Sequence, residues 1–278
     1  MMMTDTIYGA ENLLSGKTIG MAGFGHLGSS IGRAFIANGM PPERIAISCA
    51  GSERTLAAAR ELGVAVYSTK QLALRSDFLI LAARPQELGA FAGLALKKEA
   101  RVLSFMAGVT NRMLSKVFSA PVKRAMCSGP ETIGEGRGVG AVFPTGGWAR
   151  ALLEAAGLSV FDAALEEELD AFTVAICIPP ILQNVAAPAK QVEAALQMMA
   201  QRYAVCGKLA PWIRETAASA HGAARPDALK NVSTKGGVTE AMTAALAAGA
   251  DFSGAVEAGL RRNGELAARL GKLLEDAA

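Results

Sequence analysis

The residues best suited to chemistry lie in the stretch Lys17–Phe35, KTIGMAGFGHLGSSIGRAF, where Gly23, Gly25 and Gly28 fall in the spacing G-x-G-x-x-G. An apolar run (Ile19, Met21, Ala22) precedes the glycines and a helix-period run (Leu27, Ile31, Ala34, Phe35) follows them. Each glycine then has a task. Gly23 permits a tight strand-to-helix turn, Gly25 lets a pyrophosphate approach the backbone, and Gly28 lets the helix pack close to the strand. Phosphate charge would rest on the unpaired N–H groups at the helix start. Gly23, Phe24, Gly25, His26, Leu27 and Gly28 are therefore the first cofactor-binding candidates. The rival reading is a glycine-rich structural turn, since the chain holds 30 glycines.

The choice between the two nicotinamide dinucleotides is read where the second strand ends. NAD sites usually place a carboxylate there, about 20 residues past the glycines, on the ribose hydroxyls. Here the chain reads Ser48-Cys49-Ala50-Gly51-Ser52-Glu53-Arg54, with no carboxylate at the strand end. Ser52 and Arg54 could hold a 2′-phosphate, so NADP is favoured and NAD stays open. For each residue alone, a helix cap and a solvated arginine serve as well. Ala83, Arg84 and Pro85 follow the fourth strand, and Ala107 and Gly108 follow the fifth. Both segments lie at the carboxyl edge, where ligands of open α/β sheets bind, and Pro85 could wall the nicotinamide. A plain strand-to-loop turn is the alternative for either segment.

A second dense signal runs from Asn231 to Glu240, NVSTKGGVTE, with two glycines and three hydroxyls before an alanine-rich helix over 240–248. Such a loop aims N–H groups and hydroxyls at one point, which suits a carboxylate. An ordinary helix N-cap explains the same residues.

These segments need elements to hold them. Strands are expected at 19–22, 44–48, 64–67, 77–82, 101–105 and 122–126, alternating with helices at 52–62, capped by Gly63, and at 71–75. Alternation of this kind indicates a doubly wound parallel sheet. After about residue 165 the strand signal stops, and 166–270 is rich in Ala, Leu, Met and Glu, with breaks expected near 207–211 and 224–231. The fold class is therefore α/β: a Rossmann-type dinucleotide-binding domain over 1–165, then an all-helical dimerisation and substrate domain over 166–278. Residues 1–15 read as a loosely packed start.

Composition narrows the function. The chain has 278 residues, 51% hydrophobic and 5% aromatic, with a net charge of +3. Lys and Arg are scattered, so no nucleic-acid surface is expected. Four cysteines without a CxxC pair read as free thiols of a reducing compartment. The two histidines, His26 and His221, are too few and too separated for a zinc site, and no metal is expected. The one long apolar span, Ala171–Ala189, carries three prolines and two amides and makes a poor membrane helix. A cytoplasmic protein is expected.

Taken together, these marks resemble the pyrroline-5-carboxylate reductases, in that family's order and over most of the chain. They are the Gly23/Gly25/Gly28 fingerprint, Arg84-Pro85-Gln86 (Lys-Pro-Gln in the family), Ala107-Gly108-Val109, Arg124-x-Met126, Gly134-Glu135-Gly136 and Gly236-Gly237-Val238-Thr239. The last is similar to the family's Ser-Pro-Gly-Gly-Thr-Thr loop. The resemblance implies a Rossmann domain and a helical domain that interlocks with a partner into a homodimer, often within larger rings. It implies reduction of a cyclic imine carboxylate by NAD(P)H, pyrroline-5-carboxylate to proline. By the same carry-over, Ser233, Gly236, Gly237 and Thr239 hold the substrate, with Thr239 as the donor to the imine nitrogen. Two segments depart from the pattern. Met126-Cys127-Ser128-Gly129-Pro130 lacks the family's Asn, and Ile176–Leu182 puts large apolar groups where the family has Ser-Gly-Ser-Gly-Pro-Ala-Tyr. Lys235 also replaces the loop proline, and His26 the Asn of the glycine turn. The departures leave two further readings: a reductase reshaped for another imine or keto acid, and a silent NADP-binding dimer.

Overall fold

A computed structural model describes residues 13–48, 51–219, 229, 233 and 235–275. Each nucleotide-edge strand is short, apolar and followed by a helix. β1 (Ile19–Ala22) leads to α1 (His26–Ala37), β2 (Ile45–Ser48) to α2 (Glu53–Leu62), and β3 (Ala65–Val66) to α3 (Thr69–Arg75). β4 (Phe78–Leu81) runs into a 3-10 turn at Pro85–Phe91, and β5 (Arg101–Ser104) into α4 (Asn111–Val117). Then come β6 (Val122–Cys127), α5 (Pro130–Gly134), β7 (Val139–Phe143), α6 (Gly147–Ala155) and β8 (Ser159–Asp162). The rest is helical: α7 (Glu166–Ala175), α8 (Ile178–Leu182), α9 (Ala189–Arg202), α10 (Ala204–Ala218), α11 (Val238–Ala247) and α12 (Phe252–Glu275).

The eight strands form one sheet in the order β3-β2-β1-β4-β5-β6-β7-β8. β1 is an interior strand, its four residues all buried, with Ile19 paired to Ile45 on one side and to Phe78 on the other. Burial on both faces explains the uniformly apolar sequences of β1 and β4, and of β2 up to Ser48. The order reverses beside β1, which places the carboxyl ends of β1 and β4 at the switch point where such sheets take ligands.

Three expectations need correction. Two strands, β7 and β8, join the six read from sequence, and β7 runs antiparallel to β6. Gly138 and Gly140 dilute the β7 pattern, and β8 is an edge strand without a fully buried residue, so neither shows a buried-strand signature. The expected break at 207–211 is absent, because α10 runs straight through Gly207 and Pro211. One proline removes one helical hydrogen bond at a cost of about 3 kcal/mol, and burial of Val205, Cys206, Leu209, Ala210 and Ile213 outweighs it. The break falls instead at extended Tyr203. The expected break at 224–231 and nearly all of the start at 1–15 lie outside the described residues, as do Cys49 and His221.

The last strand ends at Asp162 and the helical half begins at Glu166. The two halves are not separate bodies, however, because α12 returns to the sheet. Leu270 packs with Met106, Val109 and Leu114 in the core under β5. At Gly108, where φ is +74°, an added Cβ would lie 3.1 Å from Ala267 Cα. Among the described residues no helix is long and apolar enough to cross a membrane, and the apolar span at 171–189 is divided between α7 and α8.

Candidate active site

The glycine turn is built as its spacing suggests. Gly23 has φ +90°, and a Cβ there would come within 2.5 Å of Ala83 N. A Cβ on Gly28 would strike the Gly23 carbonyl oxygen, so helix and strand need both glycines to approach. Gly25 is different: a Cβ there would meet nothing within 4 Å. The protein's own packing does not ask for glycine at 25, and a close-approaching ligand does. Gly25 is also the N-cap of α1 and offers no side-chain cap, which leaves the first N–H groups of a 12-residue helix for an anion. The turn thus fits a pyrophosphate. Phe24 turns its side chain into the core, 3% exposed, so that only its backbone belongs to the turn. Leu27 packs partly against the same core.

His26 and Arg54 lie on the walls of one groove with Ser29 and Ser30. Arg54 is exposed and has no acidic partner among the described residues, whereas its neighbour Glu53 pairs with Arg60 at 3.4 Å. Ser52 is the N-cap of α2 and makes no capping bond with its side chain. The cap that could explain Ser52 away is therefore not formed.

A cleft of about 910 Å³ opens at the other end of the switch point. The sheet supplies Arg84, Pro85 and Ala107, the loop supplies Lys235, Gly236, Gly237, Val238 and Thr239, and α7 with its C-terminal turn supplies Thr173 and Cys177. α12 closes the wall with Asn263, Leu266, Arg269 and Leu270. Segments more than 120 positions apart in sequence are thus brought to one cavity, with the carboxyl edge of the sheet on one side and the Gly-Gly loop on the other. Ala83 is half-buried behind Gly23, and Gly108 is buried against α12 rather than lining the cleft. Ser233 is exposed and does not line it either, and Asn231, Val232 and Thr234 lie outside the described residues.

The loop is held by side chains. Gly236 has φ +70°, its carbonyl accepts from Arg262 Nε at 2.7 Å, and its N–H donates to the Glu240 carboxylate. The expectation that Gly236 offers its N–H to a substrate needs correction, because Glu240 already takes it. Gly237 is the N-cap of α11 and makes no side-chain cap, so the positive end of this helix faces the loop. Thr239 is the second residue of α11, not its cap, which removes the capping explanation for this position. Its side chain is 2% exposed and its Oγ1 donates to Cys177 Sγ at 3.3 Å. Cys177 in turn donates to the Thr173 carbonyl at 3.2 Å. Burial pushes the Cys177 thiol up to about 11, against the lowering effect of the Thr239 bond, so the sulfur stays protonated near neutral pH.

The segment 176–182 was expected to crowd this cleft with apolar groups. Ile178 and Ile181 are instead fully buried in the helical core, and of the segment only Cys177 reaches the cleft. Sequence reasoning also missed Thr173, Asn263 and Arg269, which sit in helices without local motif. It passed over the charge cluster beneath them as well. Arg124, 2% exposed on β6, donates to Glu166 at 2.9 Å and to Asp170 at 3.3 Å, both on α7. A buried arginine mid-strand, followed by a Glu-rich helix start, was the available signal.

Comparison with known proteins supports this architecture. Residues 18–108 match the family model described as NADP oxidoreductase, coenzyme F420-dependent. Comparison with curated protein sequences found no match. Among solved structures, the chain is similar to a pyrroline-5-carboxylate reductase from Coxiella burnetii at 22% identity and TM-score 0.54, covering 90% of this chain and 98% of that one. It is similar to the 1-pyrroline-5-carboxylate reductase of Streptococcus pyogenes at 19% identity and TM-score 0.56, covering 90% and 98%. It also resembles the Plasmodium falciparum pyrroline carboxylate reductase, solved with NADP bound, at 14% identity and TM-score 0.56, covering 92% and 98%. The fold is the one that these pyrroline-5-carboxylate reductases share.

Proposed function

We propose that this protein is an NAD(P)H-dependent reductase of a cyclic imine carboxylate, with pyrroline-5-carboxylate as the first substrate to try and proline as its product. The observation that carries the reading is the shared cleft, in which Pro85 and Ala107 at the sheet edge meet Gly237 and Thr239 at the start of α11. NADPH, when bound, supplies the hydride. Gly23, Gly25 and Gly28 would hold its pyrophosphate, and Ser52 and Arg54 would favour the 2′-phosphate of NADP over NAD. The positive end of α11 would suit the substrate carboxylate. Thr239 Oγ1 would stand by the imine nitrogen, its hydroxyl turning from Cys177 to donate there. Holding both molecules in one cleft would supply much of the rate, which is why few acid–base groups are needed. Such an activity would place the protein in proline biosynthesis, and a homodimer built through the helical half would accompany it.

The test follows NADPH oxidation by the purified chain with pyrroline-5-carboxylate, beside a panel of other cyclic imines and 2-keto acids. Turnover confined to keto acids, or none at all with intact NADPH binding, would replace this reading. Light scattering checks the assembly: a monomer at every concentration would rule the dimer out.

A further inference from the structure

One polar side chain in the cleft has no role in the reading above. Asn263, on α12, is 2% exposed, yet it lines the cleft with Thr173, Cys177 and Thr239. Its Nδ2 has no acceptor at hydrogen-bond geometry. A buried amide left in this way costs about 1–3 kcal/mol, so its retention calls for a reason. Behind it stands Asp170 of α7. Burial raises the Asp170 carboxyl, while Arg124 and then the Asn263 amide draw it back down. The amide and carboxylate therefore stand close enough to interact, though short of a completed bond. A carboxylate attracts the NH2 end of an amide and repels its oxygen. Nδ2 is fully buried whereas the residue lines the cleft, so the NH2 end faces inward on the Asp170 side and the carbonyl oxygen is left for the cleft. The Arg124 cluster beneath has two acids, Glu166 and Asp170, to one base, which suits a cationic neighbour.

An oxygen that only accepts must meet a group that donates. The nitrogen of a cyclic imine becomes such a donor once protonated, the form that takes hydride readily, and the amine product keeps an N–H. We infer that Asn263 Oδ1 accepts the N–H of the protonated imine and holds the ring nitrogen beside Thr239, with Asp170 as the positioning residue for the amide. This rests on the cyclic-imine reading and names its specificity determinant. Asn263 selects ligands with a nitrogen donor over ring-oxygen or carbonyl ligands of the same shape.

The experiment measures binding of L-proline and of its ring-oxygen analogue, which lacks the N–H, to the full chain saturated with NADP. The wild type should prefer proline by about 10- to 100-fold, as loss of a charge-assisted hydrogen bond implies. Asn263→Leu keeps the volume without an acceptor and should bring the ratio near 1. It should lower kcat/KM for pyrroline-5-carboxylate by a similar factor and leave NADPH affinity within about twofold. If the leucine variant melts early, Asn263→Ala is read in its place. A purely structural Asn263 would weaken both ligands equally, and that result, or an unchanged ratio in a folded variant, overturns the inference while wild-type turnover leaves the proposed function standing. A wild type that neither reduces pyrroline-5-carboxylate nor binds proline overturns both.

Discussion

The two glycine loops differ in what holds them. At the Gly23 turn the constraint comes from main chain: the Ala83 nitrogen and the Gly23 carbonyl stand where side chains would go. At the Gly236 loop it comes from side chains, with Arg262 on the carbonyl and Glu240 on the N–H. A cradle of backbone can be reused for any dinucleotide, because it reads only phosphate charge and shape. A loop clamped by side chains is tuned by changing them, and it is here that this chain carries Lys235 and Glu240 around the Gly-Gly pair. On the proposed function the cofactor half would be generic, and specificity would belong to the walls of the cleft.

Five substitutions probe that contrast, from the largest effect to the smallest. Gly23→Val places a side chain at φ +90° against Ala83, and NADPH affinity should drop by about 100-fold or more together with stability, since the left-handed backbone alone costs roughly 1–2 kcal/mol. Its partner is Gly25→Val, which meets only open space. That change should leave stability within about 0.5 kcal/mol while still weakening NADPH in calorimetry. Equal melting losses for the two would make the turn merely structural.

Thr239→Val tests the substrate side. It should lower kcat by about one to three powers of ten, the range for loss of a single transition-state donor. The lost Cys177 bond should cost only about 1 kcal/mol of stability. Normal turnover in a destabilised variant would remove Thr239 from the reaction. Arg54→Ala is next, expected to weaken NADPH by about 10- to 100-fold, as the roughly 1.5–3 kcal/mol of a charged hydrogen bond implies, without touching NADH. If both cofactors bind the wild type equally well, the 2′-phosphate assignment fails. The smallest effect is expected from Arg262→Gln, which loosens the Gly236 carbonyl and should raise KM by about threefold with kcat nearly unchanged, as expected for loss of uniform binding. A fall in kcat alone would mean that the clamp acts on the reacting atoms instead.

The sheet and its glycine turn could be read from sequence because each is coded locally. Ile19 to Ala22 and Phe78 to Leu81 are buried on both faces and so are uniformly apolar, and the glycine spacing is a steric requirement within one turn. The cleft was only half readable. Pro85, Ala107 and Thr239 sit in recognisable segments, but Asn263 and Thr173 reach the site through packing of α12 and α7, which no local pattern records. The same limit misjudged Ile178 and Ile181, since apolar residues in a short helix do not reveal which side they face. The Gly207–Pro211 break failed for a related reason: the buried face of α10 outweighs the local preference of its proline.

Arg124 has a consequence for how the molecule comes apart. Its guanidinium is anchored in the sheet but neutralised by two carboxylates of the helical half. Were the helices to melt first, they would leave a bare cation sealed inside β6, a penalty of about 3–5 kcal/mol. Neither half can therefore unfold cheaply while the other persists. Heating should give one calorimetric transition rather than two, with the van't Hoff and calorimetric enthalpies in agreement. Arg124→Met, which removes the cation, should uncouple the halves and split that transition.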